Sequence, residues 1–273
     1  MIKKTLTFVS ALLAISLLSA PAQEINSPWK GARVAFLGDS ITDQRQLASQ
    51  DIFWHQLEQI LGIQPYVYGI SGHRCKHIKG QAEKLYAEHG TDLDAIIIFV
   101  GTNDFNGSIP PGEWYSEETA WSNRNGREVQ LKHRTPILTG GTVRSDINIF
   151  LSYIKHTFPT QQVILLTPLH RAYFNASDTN IQPDEGYANA LGYYVDTYVD
   201  IIKEAGNVWA VPVIDWNSLS GLYPLEPEHV RYFREAGKDP EGVRHDLLHP
   251  NTEGHLRMAY TLAYQLLTLP PKF

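Results

Sequence analysis

An α/β fold is predicted: a five-stranded parallel sheet with helices on both faces. Three observations predict it. Short apolar runs alternate with longer segments whose apolar residues recur at helical spacing. The third run, AIIIFV (95–100), is apolar throughout, as a strand covered on both faces should be. Each of the first three runs is followed by glycine and a small polar residue, the chemistry expected where ligands meet the carboxyl ends of an open α/β sheet. The handedness of crossovers leaves few topologies, and the flavodoxin-like order 2-1-3-4-5 is the natural one.

The elements follow in order. RVAFL (33–37) reads as a buried strand. Residues 51–61 place Phe53, Leu57, Ile60 and Leu61 on one helical face, and Gly62 ends it. PYVYGI (65–70) is the second strand, residues 78–89 a weaker helix ending at Gly90, and AIIIFV the third strand. Ile147, Phe150, Leu151, Ile154 and Phe158 mark a helix over 143–158, stopped by Pro159. VILLT (163–167) is the fourth strand. A helix over 185–205 should end at Gly206, and VWAVPVI (208–214) is the fifth strand, placed at an edge by Pro212. Leu256, Ala259, Tyr260, Ala263 and Leu267 form a closing helix.

Two stretches, about 105–141 and 216–248, interrupt the alternation. They lack a period and read as long insert loops at the active-site face. Trp114, Tyr115, Trp121, Trp216, Tyr223, Tyr232 and Phe233 argue against disorder there. They either pack the loops onto the sheet or stack on a substrate.

The first residues are of another kind. Lys3 and Lys4 precede an apolar run from Leu6 to Leu18 and then Ala20-Pro21-Ala22, which reads as a secretory signal peptide over residues 1–22. The run is short of the roughly 20 residues of a spanning helix, so no stable membrane insertion is expected. Residues 23–273 then form a single domain. Losing two lysines and no acids takes the net charge from −6 to −8, and no Lys/Arg cluster is present, so no nucleic-acid partner is expected. Cys75 is the only cysteine, which excludes an internal disulfide. A buried thiol is the simpler reading of it than a Cys–His nucleophile.

The strand ends carry GDSIT (38–42), SGHR (71–74) and GTND (101–104). In the proposed order they are neighbours, so the Ser40 hydroxyl, the Gly72 amide and the Asn103 side chain should converge. Acyl transfer needs such a set: a hydroxyl nucleophile, a base to activate it and preorganised donors for the oxyanion. Asp246 and His249, three apart near the C-terminus, can supply the base and the carboxylate that orients it. Each motif alone reads equally well as a turn or helix cap. Their joint occurrence at three successive strand ends is the signal.

GDSIT, GISG (69–72), GTND and DLLHP (246–250) together resemble the four signature blocks of the SGNH, or GDSL-type, serine hydrolases, in that family's order. The resemblance implies a three-layer α/β/α sandwich. It implies Ser40 as nucleophile, His249 as base and Asp246 as its orienting acid. It implies an oxyanion hole of Ser40, Gly72 and Asn103. No cofactor is expected.

RHDLLHPNTEGH (244–255) also admits a zinc-helix reading, with His245 and His249 as ligands. Pro250 disfavours helical backbone at His249, and no third ligand is evident, so no metal is expected. The dyad is expected on a loop ahead of the last helix, capped by Asn251 or Thr252, with His245 unassigned. Asp178, Asp184 and Glu185 read as the solvated start of a helix. Asn106-Gly107-Ser108 and Asn175-Ala176-Ser177 are glycosylation sequons. The expected activity is a secreted esterase acting on an ester substrate, O-acetyl groups of a polysaccharide or glycan first among them. A lipolytic esterase, lysophospholipase or thioesterase is the second reading, and a non-catalytic carbohydrate-binding homologue the third.

Overall fold

The computed structural model describes residues 26–48, 50–178, 180–239 and 242–273. The expected signal peptide lies outside them. In chain order the elements are β1 (Arg33–Gly38), α1 (Phe53–Leu61), β2 (Gln64–Val67), α2 (Cys75–His89), β3 (Ala95–Phe99), α3 (Thr102–Asn106), β4 (Tyr115–Arg124), β5 (Arg127–Pro136), α4 (Val143–Thr157), β6 (Gln162–Leu166), β7 (Phe174–Ser177), β8 (Asn180–Gln182), α5 (Val195–Trp209), β9 (Val213–Ile214), α6 (Trp216–Leu219), β10 (Phe233–Asp239), β11 (Gly242–Pro250) and α7 (Thr252–Leu266). Short 3-10 helices span Gln44–Ala48 and Pro227–Tyr232.

The central sheet has the order β2-β1-β3-β6-β9, parallel at every pairing. In sheet strands alone this is 2-1-3-4-5, as expected. The two-residue period sorts the apolar runs between two cores. Val34, Phe36, Ile97 and Phe99 face α1 and α7. Ala35, Leu37, Ile96 and Ile98 face α2, α4 and α5. The result is a three-layer α/β/α sandwich. Local signals end the helices: Gly62 closes α1 at φ 69, Thr142 caps α4 through the Ser145 amide, and Asn251 caps α7 through the Gly254 amide.

Three expectations are corrected. The helix predicted over 185–205 starts only at Val195. Asn189 accepts the Leu191 and Tyr193 amides at 3.0 and 3.2 Å, which satisfies locally the donors a helix would have used. That helix also runs past Gly206 to Trp209, so the fifth strand is not 208–214 but Val213–Ile214. Gly206 is there for packing, since a Cβ on it would lie 2.6 Å from Val213 Cγ2.

The insert stretches are ordered structure rather than loops. β4 and β5 pair over ten residues each as a separate two-stranded hairpin, turned by Asn125 and Gly126 at φ 54 and 77. β10 and β11 join β7 and β8 in a second sheet of order β10-β11-β7-β8. This second sheet carries Asp246 and His249.

Candidate active site

Ser40 follows β1 in a tight turn. Asp39 accepts the Ile41 amide on its carboxylate at 3.0 Å, and its carbonyl accepts the Thr42 amide at 3.1 Å. Gly38 is obligatory for lack of room: a Cβ on it would sit 2.5 Å from the Phe99 carbonyl oxygen and 2.6 Å from Thr42 Oγ1. A buried glutamine on α2 fixes this strand end. Gln81 accepts from the Gly38 amide and donates to the Gly38 carbonyl, both at 2.8 Å.

The dyad arrives from the second sheet. Asp246 and Pro250 of β11 pair with Arg234 and Phe233, which are consecutive in β10. Leu247, Leu248 and His249 therefore bulge out of register, a displacement that re-aims side chains. The expectation of a loop is thus corrected to a bulged strand. The Leu248 and His249 amides both donate to Asp246 Oδ1, at 3.2 and 3.0 Å. This folds the bulge back so that His249 Nδ1 lies 2.9 Å from each carboxylate oxygen. Its Nε2 lies 2.8 Å from Ser40 Oγ. The Phe174 ring meets the imidazole edge-on at 5.7 Å.

The other two blocks are tied to the same place. The Ser71 amide donates to Asp43 at 2.9 Å, binding the Gly72 loop to the segment beyond Ser40. Gly72 has φ +80 with open space where a Cβ would lie. Asn103 opens α3 and donates through Nδ2 to the His73 carbonyl at 3.0 Å, which orients its amide. Asp104 takes the Cys75 amide at 3.1 Å and so joins α3 to the start of α2. Every predicted site residue thus lies at the carboxyl ends of β1, β2 and β3 or on the bulge over them.

The electrostatics suit a neutral base beside an ionised acid. Burial lowers His249 below the usual histidine value, against the Asp246 bond that raises it; Arg234 and Arg171 lower it further. Burial alone would raise Asp246, but the His249 bond and the Arg234 charge hold it below the usual carboxylate range. With one nitrogen on Asp246 and the other on Ser40, His249 has none left for a metal. Among the described residues no group of three or more His, Cys, Asp or Glu side chains is arranged to hold one.

Several other residues are resolved. Cys75 is fully buried, and burial with Asp104 beside it pushes its thiol well up, which leaves no thiolate nucleophile. His245 pairs across the strands with Glu235, and its Nδ1 is buried without a partner among the described residues. Glu185 is not a solvated helix start: it sits 2.7 Å from His170 Nδ1 and accepts the Arg171 amide at 2.8 Å. Asp178 is exposed and pairs with Arg244 at 3.0 Å. Trp114, Trp216 and Phe233 pack inward, whereas Trp121 is 68% exposed. Asn106, first residue of one sequon, accepts from Arg171.

Sequence reasoning missed Arg234, Gln46, Gln81 and Arg171. Arg234 donates from Nε and Nη2 to Asp246 Oδ2 at 3.1 and 2.7 Å, and from Nη1 to Gln46 Oε1 at 2.7 Å. Asp239-Pro240-Glu241-Gly242 is turn-forming sequence, but an unbroken register from it would set Arg234 opposite Leu247; the shift between Glu235 and Gly237 that brings Arg234 to Asp246 carries no sequence signal. Buried Arg171 donates to Asn106 and, at 2.8 Å, to Gln182, joining α3 to β8. No local pattern announces it.

The profile of the GDSL-like lipase/acylhydrolase family matches residues 36–257, which hold all four blocks. The chain belongs to this family. As a GDSL-like hydrolase it shares its fold with solved structures of low sequence identity. One is a Lactobacillus plantarum protein (TM-score 0.61, 20% identity, 87% of this chain and 97% of that one). Another is a candidate lipase from Chitinophaga pinensis (TM-score 0.60, 19% identity, 86% and 97%). A third is a candidate GDSL-like lipase from Parabacteroides merdae (TM-score 0.52, 18% identity, 90% and 100%). A stretch of 150 residues is 27% identical to olfactomedin-like protein 3 of Bos taurus; it covers 52% of this GDSL-like hydrolase but only 33% of that protein's length.

Proposed function

We propose that this GDSL-like hydrolase is a serine esterase that removes acyl groups, acetyl foremost, from carbohydrate through an acyl-enzyme on Ser40. The observation that carries the reading is the unbroken chain Ser40 Oγ to His249 Nε2 at 2.8 Å and His249 Nδ1 to Asp246 at 2.9 Å, with the Gly72 loop bonded to the segment beyond Ser40 through Ser71 and Asp43. Ser40 Oγ attacks the ester carbonyl while His249 Nε2 takes its proton. The tetrahedral oxyanion is received by the Ser40 and Gly72 amides and the Asn103 side chain. Collapse breaks the bond to the alcohol, which leaves with the proton from His249. Water then repeats the sequence on the acyl-enzyme, releasing the acid and restoring Ser40.

The carbohydrate part of the reading rests on the surface near Asn103. Tyr187, Tyr193 and Tyr194 are 62, 40 and 50% exposed. Their loop is held to the segment after Asn103, with Asn189 donating to the Phe105 carbonyl at 3.2 Å and the Ala190 amide to Ser108 Oγ at 3.1 Å. Exposed aromatic rings suit stacking on sugar rings. Export through the expected signal peptide would bring the enzyme to such polymers, and the exported protein should begin at Gln23 by mass spectrometry.

Ser40→Ala should abolish hydrolysis of an aryl acetate and labelling by a fluorophosphonate, with chelators having no effect on the wild type. Retention of the wild-type rate by Ser40→Ala would sink the mechanism. Acid release from acetylated polysaccharides, long-chain esters and lysophospholipids decides the substrate. A preference for long acyl chains would replace the carbohydrate reading with the lipolytic one.

A further inference from the structure

We propose that Arg234 is a positioning residue of this site: it locks the Asp246 carboxylate toward His249 and keeps the imidazole unprotonated at pH values where an Asp–His pair alone would be protonated. The inference rests on the Ser40–His249–Asp246 reading above and assigns a role to a residue outside it.

The geometry is that of a three-way brace. Arg234 lies directly across the strands from Asp246. Its Nε and Nη2 both donate to Oδ2, at 3.1 and 2.7 Å, while Oδ1 takes the Leu248 and His249 amides. The carboxylate is thereby held on both oxygens and cannot rotate. The third arm of the guanidinium reaches Gln46 Oε1 at 2.7 Å. Gln46 belongs to the 3-10 helix that follows the Ser40 turn, so one planar group spans the acid's strand and the nucleophile's segment. A planar, always charged fork is suited to this, and an ammonium is not.

The charge has a second consequence. Protonating His249 places a cation near Asp246, and Asp246 alone would favour that strongly. Arg234 already occupies the same carboxylate and opposes the imidazolium. The ion pair is well sheltered, with the Asp246 side chain 5% and the Arg234 side chain 24% exposed. The groups around His249 are Asp246 on its own strand, Arg234 on β10, Arg171 on the segment after β6 and His255 on α7. His245 precedes Asp246 on β11 with Glu235 opposite, while Glu185 and Asp184 act on Arg171. Among the described residues Asp246 is the one acid bonded to the imidazole, and two arginines act against its charge. The depressed His249 value agrees in direction.

The test is the pH profile of kcat/KM on an aryl acetate. Arg234→Gln should lower kcat, and its acid limb should move up by roughly half to one pH unit. Arg234→Lys keeps the charge and should hold the limb near its wild-type position with a reduced kcat. Gln46→Glu leaves the arginine in place but offsets its charge, so it should move the limb upward as well. It also covers the case in which Arg234→Gln fails to fold. Acid limbs of Arg234→Gln and Gln46→Glu that coincide with the wild type, or move down, would overturn the inference. If Ser40→Ala is inactive while those limbs stay put, only the role of Arg234 falls. If Ser40→Ala is fully active, the underlying mechanism falls instead.

Discussion

The two key glycines of the site do different things. Gly38 is required because the Phe99 carbonyl and Thr42 leave no room for a Cβ, whereas Gly72 is required because its φ of +80 is poorly tolerated by other residues, although the space beside it is open. Their alanine variants should therefore fail differently. At Gly38 the first obstacle is backbone oxygen at 2.5 Å, which cannot rotate away. Gly38→Ala should lose about 1–3 kcal/mol of stability in urea titrations and misplace Ser40 as well. At Gly72 the cost should be nearer 1 kcal/mol, with folding retained. Equal and negligible losses in the two variants would refute the distinction.

At the scale of elements, β4 and β5 invite a direct test. The hairpin stands apart from both larger sheets, and an isolated two-stranded hairpin is marginal in water. Its root supplies the anchorage. Trp114 is buried and donates to Glu204 at 2.8 Å, and Asn148 on α4 donates to the Trp114 and Ile137 carbonyls at 2.8 and 3.1 Å. The hairpin is thus rooted on α4 and α5. Replacing 116–135 with a short Gly/Ser turn should leave aryl acetate turnover within about twofold and Tm within about 4 °C. A collapse of either would mean that the hairpin supports the Ser40 site after all. The element also shows a legible signal passed over: Asn125-Gly126 between paired strands is a strong hairpin marker.

For the molecule as a whole, buried titratable groups set the acid and base limits of stability, and they pull in opposite directions. Burial lowers His255 to about 3, so it folds neutral; its contribution is complete above the unfolded value of 6.5 and is lost as pH falls through that window. Burial raises Asp39 to about 7 and Asp104 to about 6, so the fold keeps each protonated only below its value, and their contribution is lost as pH rises from 3.8 through those values. Asp39→Asn keeps the acceptor for the Ile41 amide and removes the titration. Its stability relative to wild type should therefore rise between pH 4 and pH 8, by roughly 2–4 kcal/mol. A difference independent of pH would show that Asp39 ionises freely in the folded state.

The sequence by itself determined the central sheet and its strand order, and it put forward Ser40, Gly72, Asn103, Asp246 and His249 as a candidate set. Those features are local or periodic: apolar runs of period two or 3.6, glycines at strand ends and a proline that disfavours a helix at His249. Only the tertiary structure decided how the set is held. The bulge of β11 exists because β10 and β11 pair out of step, and nothing within DLLHP specifies its partner strand. Arg234 lies 12 residues from Asp246 and Gln46 lies 188 residues from Arg234. Gln81 lies 43 residues from Gly38. Such contacts carry no period and no fixed spacing, because a side chain's partner is chosen by the fold rather than by its neighbours in the chain. For the same reason RHDLLHPNTEGH could show that Asp246 and His249 belong together, but not that an arginine on the facing strand completes them.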